Sequence, residues 1–98
     1  MSGDGETGIQ VRRLDDEGAY VGELEGEVVA NLTYARRDGR VVLLETTVLP
    51  SMRGRGIAGA LISGALDDLR ERGESVRVEC PAVAGYLSRH PEYADLTA

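Results

Sequence analysis

Hydrophobic and polar positions alternate through the first half of the chain and then change to a helical period. The run "IQVRRL" (9–14) alternates weakly, "DDEG" turns it into "AYVGEL" (19–24), and "EG" (25–26) is a tight turn into "EVVANLTYAR" (27–36). Asp38-Gly39 is a two-residue hairpin signal. The next run, "VVLLETTV" (41–48), is apolar on both faces over its first half, the pattern of a central strand covered on both sides. Pro50 stops that strand, and Ser51 to Arg55 form a loop. Ile57, Ala58, Leu61, Ile62, Ala65 and Leu69 then share one helical face, with Gly73 placed to cap the end. "SVRVEC" (75–80) alternates cleanly, Pro81 suits the first position of a second helix, "AVAGYLSR" (82–89), and "HPEYADL" follows.

This order predicts an α+β (α/β) fold, β-β-β-β-α-β-α along the chain. An antiparallel meander feeds a right-handed strand-helix-strand crossover, so the sheet is mixed and mostly antiparallel. No repeat, low-complexity tract or linker interrupts the pattern. Residues 9–98 therefore read as a single domain, and the Gly-rich, acidic residues 1–8 as a flexible tail.

Composition narrows the chemistry. The chain has no Phe or Trp and four Tyr, so Val, Leu, Ile and Ala must fill its core. A net charge of −6 argues against nucleic-acid binding through a basic surface. All 11 basic residues are Arg. The single cysteine, Cys80, excludes an internal disulfide and a Cys-rich metal site, and the single histidine, His90, argues against a metal centre or a His-based triad. The polar, acidic start is no signal peptide, and the apolar runs are too short to span a bilayer. The expectation is a cytoplasmic protein without metal, nucleic-acid or membrane partners, monomeric or a weak homodimer.

The stretch "RGRGIAGALISGALDDLRERG" (53–73) raises a question of stability, because it keeps Gly59 and Gly64 inside a helix. Each costs ~1 kcal/mol against alanine. A helix N-terminus offers unpaired N–H groups and partial positive charge, and glycines before it let an anion approach. Arg53, Gly54, Arg55 and Gly56 thus form a plausible phosphate cradle, with Gly59 under the same ligand and Gly64 explained by packing on the sheet. The loop has neither Walker A nor dinucleotide-fold glycine spacing, and on its own an ordinary Gly-rich turn fits as well.

Two blocks carry a resemblance. Arg53-x-x-Gly56-x-Ala58 resembles the Q/R-x-x-G-x-G/A signature of the GCN5-related N-acetyltransferases, and "TTVLPSMRGRGIA" resembles their fourth-strand to helix junction. "CPAVAGYLSRHPEYADL" (80–96) is similar to the small YjdJ-type acetyltransferase-like family, with a Cys, a helix and then His-Pro-Glu-Tyr. The resemblance runs from about Glu27 to Leu96. It implies a minimal fold of this superfamily whose strands 41–48 and 75–80 splay to admit the pantetheine arm of acetyl-CoA. It also implies a backbone N–H near Val48 for the acetyl carbonyl, and N–H groups of Gly54, Arg55, Gly56, Ile57 and Ala58 for the pyrophosphate. Larger members have N-terminal helices on the acceptor side; the strand-rich start here implies an open one.

Three residues are candidates for the chemistry. Cys80 precedes Pro81 at a helix start, where a helix end favours a thiolate. It reads as a nucleophile, as a group beside the CoA sulfur, or as a small buried hydrophobe. Glu45 lies in a largely apolar strand, where a partly buried carboxylate would accept the amine proton; the alternative is a solvent-facing side chain. The resembled family often has His-Thr where Glu45-Thr46 stand, and its Pro two places before the Cys is Val78 here. Tyr86, on the last helix, reads as a proton donor to the leaving thiolate or as a packing residue. His90 and Glu92 read as a cap or staple of the final turn. The leading function is acetyl transfer from acetyl-CoA to an unidentified amine, and the alternative is an acyl-CoA-binding module without turnover.

Overall fold

Each alternating run becomes a strand. The computed structural model describes residues 7–97, in which β1 (Gln10–Leu14), β2 (Ala19–Leu24), β3 (Glu27–Arg37) and β4 (Arg40–Val48) precede α1 (Ile57–Glu71), β5 (Val76–Val78), α2 (Pro81–Arg89) and a 3-10 helix (Pro91–Thr97). Both predicted tight turns form with left-handed residues, Glu25 and Gly26 in one, Asp38 and Gly39 in the other. Those backbone conformations suit the twist of a hairpin. The five strands lie in sequence order in one sheet, with β4 and β5 parallel and every other pair antiparallel. The element order and the mixed, mostly antiparallel sheet are those expected. Of the tail expected over residues 1–8, residues 1–6 lie outside the described residues. Thr7 and Gly8 are placed against the fold: a Cβ at Gly56 would sit 3.7 Å from the Thr7 methyl group, and one at Gly8 3.6 Å from Leu24.

One face of the sheet carries Tyr20, Leu32, Tyr34, Val41 and Leu43 into a core shared with α1, α2, Tyr93 and Leu96. The buried face of α1 is wider than the periodicity predicts, adding Ala60, Ser63 and Leu66. Ser63 is polar yet 2% exposed. It meets the Tyr93 hydroxyl at 3.4 Å, and that hydroxyl donates to Asp67 at 2.6 Å. The "HPEY" segment is thereby docked onto α1, helped by Arg70, which donates to the Glu92 carbonyl at 2.7 Å. The Tyr93 phenol is held above its ordinary pKa by burial and by the bond to Asp67.

At the C-terminal end of α1, the nearly buried Arg13 joins β1 to the rest of the fold. Its guanidinium donates to Tyr20 and Tyr34 at 3.2 Å each and to Glu74 at 3.1 Å, and pairs with Asp15. Tyr20 in turn donates to Asp68 at 2.7 Å and Tyr34 to Asp15 at 2.8 Å. Every charge here has a partner, as a sheltered ionic cluster requires.

Candidate active site

The site begins where β4 and β5 part. Their pairing covers Val41–Leu43 against Val76–Val78, and its last bond runs from Glu79 N to Leu43 O at 2.9 Å. β5 is therefore shorter than the predicted run 75–80, because the chain turns after Glu79 into α2, whose first residue is Pro81. β4 continues to Val48 with no β5 beside it. A bulge lies at the same place: Tyr34 faces Leu43 but Thr33 faces Glu45, leaving Leu44 as the extra residue. A bulge bends its strand and increases the local twist, which helps separate β4 from β5.

Strand alternation then sorts the side chains. Thr46 lies opposite Leu32 and Val48 opposite Ala30, so both point to the face that carries α1. Glu45 and Thr47 lie opposite Thr33 and Asn31 and point to the far face. Leu49 N donates to Val29 O at 2.9 Å. In an antiparallel ladder alternate residues aim their N–H groups to opposite sides, so that of Val48 is directed toward the side β5 has vacated.

Cys80 comes from the other wall. It is 2% exposed and directly precedes α2. Its Sγ lies 3.3 Å from Thr46 Oγ1, the only contact that joins the two parting segments through polar side chains among the described residues. Sequence reasoning passed over Thr46. The available signal was its place one residue after Glu45, on the opposite strand face, but nothing local said that the thiol would reach it.

The predicted Gly-Arg loop stands at the open end of this gap. Gly54 and Gly56 both have positive φ, 80° and 77°. A Cβ at Gly54 would meet nothing within 4 Å, so the backbone conformation, not crowding, calls for glycine there. Gly56 is the N-cap of α1 and contributes no side-chain cap, and the first turn holds no acidic residue. The N-cap itself thus leaves the first N–H groups of α1 available to an incoming group. A concavity of about 160 Å³ at this point is lined by Val48, Met52, Arg53, Gly54, Gly56, Ile57, Ala58 and Gly59. Seven of the eight residues proposed from sequence to hold the donor line it. Arg55 does not; its guanidinium contacts Met52 Sδ at 3.6 Å and it lines a neighbouring groove with Glu25 and Glu27.

The remaining candidates differ in exposure. Glu45 is exposed, so the partial burial considered for it is absent: its strand position aims it at the far face, which α1 does not cover. Tyr86 is 4% exposed, with its ring stacked on His90 at 4.0 Å and 6.2 Å from Tyr93. His90 Nδ1 lies 3.4 Å from Glu92. Among the described residues no group of three or more His, Cys, Asp or Glu could hold a metal ion, and no helix is long and apolar enough to cross a membrane.

An uncapped helix start with two left-handed glycines, an arginine and a backbone donor on the facing strand suits a long anionic thioester. A family model described as GCN5-related N-acetyl-transferase matches residues 19–96. The chain belongs to the GCN5-related N-acetyltransferases. Members of this family transfer acetyl groups and use acetyl-CoA as donor. Among solved structures, an acetyltransferase of Trypanosoma brucei is similar at 26% identity with a TM-score of 0.45, over 86% of this chain and 64% of that one. This chain therefore spans less than two thirds of that protein. No curated protein matches the chain.

Proposed function

We propose that this acetyltransferase moves the acetyl group of acetyl-CoA to a primary amine that arrives from the uncovered face of the sheet. The observation that carries the reading is the concavity shared by Val48 and the start of α1. In this reading the N–H groups of Ile57, Ala58 and Gly59, with Arg53, hold the pyrophosphate. The N–H of Val48 donates to the acetyl carbonyl, where negative charge grows as the amine attacks. Such a donor stabilises the developing oxyanion more than the starting carbonyl, which is what lowers a barrier.

Glu45 and Cys80 divide the remaining work between the two faces of the gap. Glu45 is open to solvent on the face from which the amine comes, and it takes the amine proton. Cys80, held by Thr46 on the inner face, sits where it serves either as a nucleophile toward the acetyl carbon or as a proton source for the departing CoA sulfur. The exposed Glu45 in place of a histidine also favours a second reading, an acyl-CoA-binding module without turnover.

Thiol release from acetyl-CoA, followed across a panel of primary amines, separates the two readings. Amine-dependent release of CoA supports transfer; tight acetyl-CoA binding with no release for any amine supports the module. The chain contains no lysine, so self-acetylation of a lysine side chain cannot obscure the result. A hydroxylamine-labile adduct on Cys80 marks the nucleophile route, and undiminished turnover by Cys80→Ala rules it out.

A further inference from the structure

The far face of β4 presents its side chains in a row. Glu45, Thr47 and Leu49 alternate with the inward-facing Thr46 and Val48, at about 7 Å per pair of residues. Beside Thr47 and Leu49, β3 contributes Asn31 and Val28, and together these line a shallow apolar groove of about 120 Å³. Val28 is 49% exposed and Leu49 46%, the two exposed large hydrophobic residues of the described chain. Both lie on this groove. At the other end of the row, the Glu45 carboxylate has no ion-pair or hydrogen-bond partner among the described residues.

We infer that the acceptor is a compact primary amine carried on an apolar body, and not a polyamine or a lysine-rich peptide. This rests on the reading of the gap as an acetyl-transfer site. Glu45 meets the ammonium group, and the apolar body lies along β4 over Thr47 toward Leu49 and Val28. A phenylalkyl amine held at Glu45 reaches about 7 Å, one strand repeat, so its ring lies over Thr47 and faces the near side of Leu49. The groove itself holds no acid, and Glu25 and Glu27 beyond its far end line the neighbouring groove together with Arg55, which supplies a positive charge there. The exposed Val28 and Leu49 beyond Glu45 reward the loss of water from a hydrophobic body, which a polycation does not provide.

The deciding experiment is an amide-shift titration of the isotope-labelled full chain with phenethylamine and, separately, spermidine. It needs neither acetyl-CoA nor turnover. Phenethylamine is expected to shift the amides of Asn31, Thr47 and Leu49, with Leu49→Asn weakening it about tenfold and Glu45→Gln removing it. Spermidine is expected to bind at least tenfold more weakly. Equal or stronger shifts with spermidine, or no shifts in the groove with phenethylamine, would overturn the inference whether or not acetyl-CoA binds. Shifts by phenethylamine in a protein that fails to bind acetyl-CoA would support the groove and count against the acetyl-transfer reading alone.

Discussion

Gly64 on α1 lies so close to Val11 on β1 that a Cβ built on it would stand 2.6 Å from Val11 Cγ2 and 2.8 Å from its Cβ. Two opposed effects meet there. Alanine would gain ~1 kcal/mol of helix propensity, but the branched Val11 cannot move out of a 2.6 Å overlap without shifting a strand. Overpacking of this kind costs roughly 1–3 kcal/mol. We expect Gly64→Ala to lower the urea midpoint, and Gly64→Ala combined with Val11→Ala to recover most of the loss.

Gly59 allows a cleaner test of the loop than Gly56. Any side chain at Gly56 must adopt a left-handed backbone, at a cost of roughly 1–2 kcal/mol, so loss of binding there would be mixed with loss of fold. Gly59 is the third residue of α1 and lines the concavity. Gly59→Leu is expected to keep or raise thermal stability while weakening acetyl-CoA binding more than about tenfold, as read by calorimetry. Unchanged affinity would place the donor elsewhere.

The Arg13 cluster makes stability depend on pH at both ends. Asp15 is held below the ordinary carboxylate range by the Tyr34 and Arg13 hydrogen bonds. Burial opposes ionisation of Asp68 and Glu74, but bonds from Tyr20 and Arg72 to the first, and from Arg36 and Arg13 to the second, outweigh it. Depressed carboxyl groups give stability that is full above their unfolded pKa, near 4, and lost as pH falls through the folded value. Tyr20 and Tyr34 are raised, mainly by burial and then by bonds to Asp68 and Asp15, so their contribution is full below about pH 10 and lost above it. Urea midpoints should be flat between roughly pH 5 and 9 and fall on either side. Arg13→Met should cost about 3–5 kcal/mol at pH 7 and shallow the acid limb.

Thr46 and Tyr86 can each be tested by removing a hydroxyl while keeping the shape of the side chain. Thr46→Val keeps the shape and suits a strand, but removes the hydroxyl 3.3 Å from Cys80. Turnover is expected to fall about tenfold, with Thr46→Ser restoring it. Tyr86→Phe keeps the stacked ring and so tests the phenol alone, whereas Tyr86→Ala should cost roughly 3–5 kcal/mol of stability. A large loss of turnover in a stable Tyr86→Phe protein would place the phenol in the chemistry, and unchanged turnover would leave it a packing residue.

The elements were legible because their signals are local. Asp38-Gly39 and Glu25-Gly26 fix their turns through two residues each, and the spacing of Ile57, Leu61, Ala65 and Leu69 needs only the helix itself. The loop was legible for the same reason: glycine before a helix is a statement about backbone angles. What sequence could not show depends on register. Glu45 and Thr46 are neighbours, yet the bulge at Leu44 and the pairing with Thr33 and Leu32 send them to opposite faces. The reach of Cys80 to Thr46 spans 34 residues, and the docking of Tyr93 on Asp67 spans 26. Neither leaves a trace in periodicity. The Arg55 side chain lines the neighbouring groove for a related reason, since alternate residues of a tight loop point in different directions.

The central claim is that the start of α1 and Val48 hold acetyl-CoA, and calorimetric titration of the full chain with acetyl-CoA tests it most directly. Saturable one-to-one binding with a dissociation constant of about 1–100 μM, roughly −5 to −8 kcal/mol, and its loss in Gly59→Leu, is the expected result. No heat of binding up to about 1 mM donor, near −4 kcal/mol, in a protein that melts cooperatively would contradict the account.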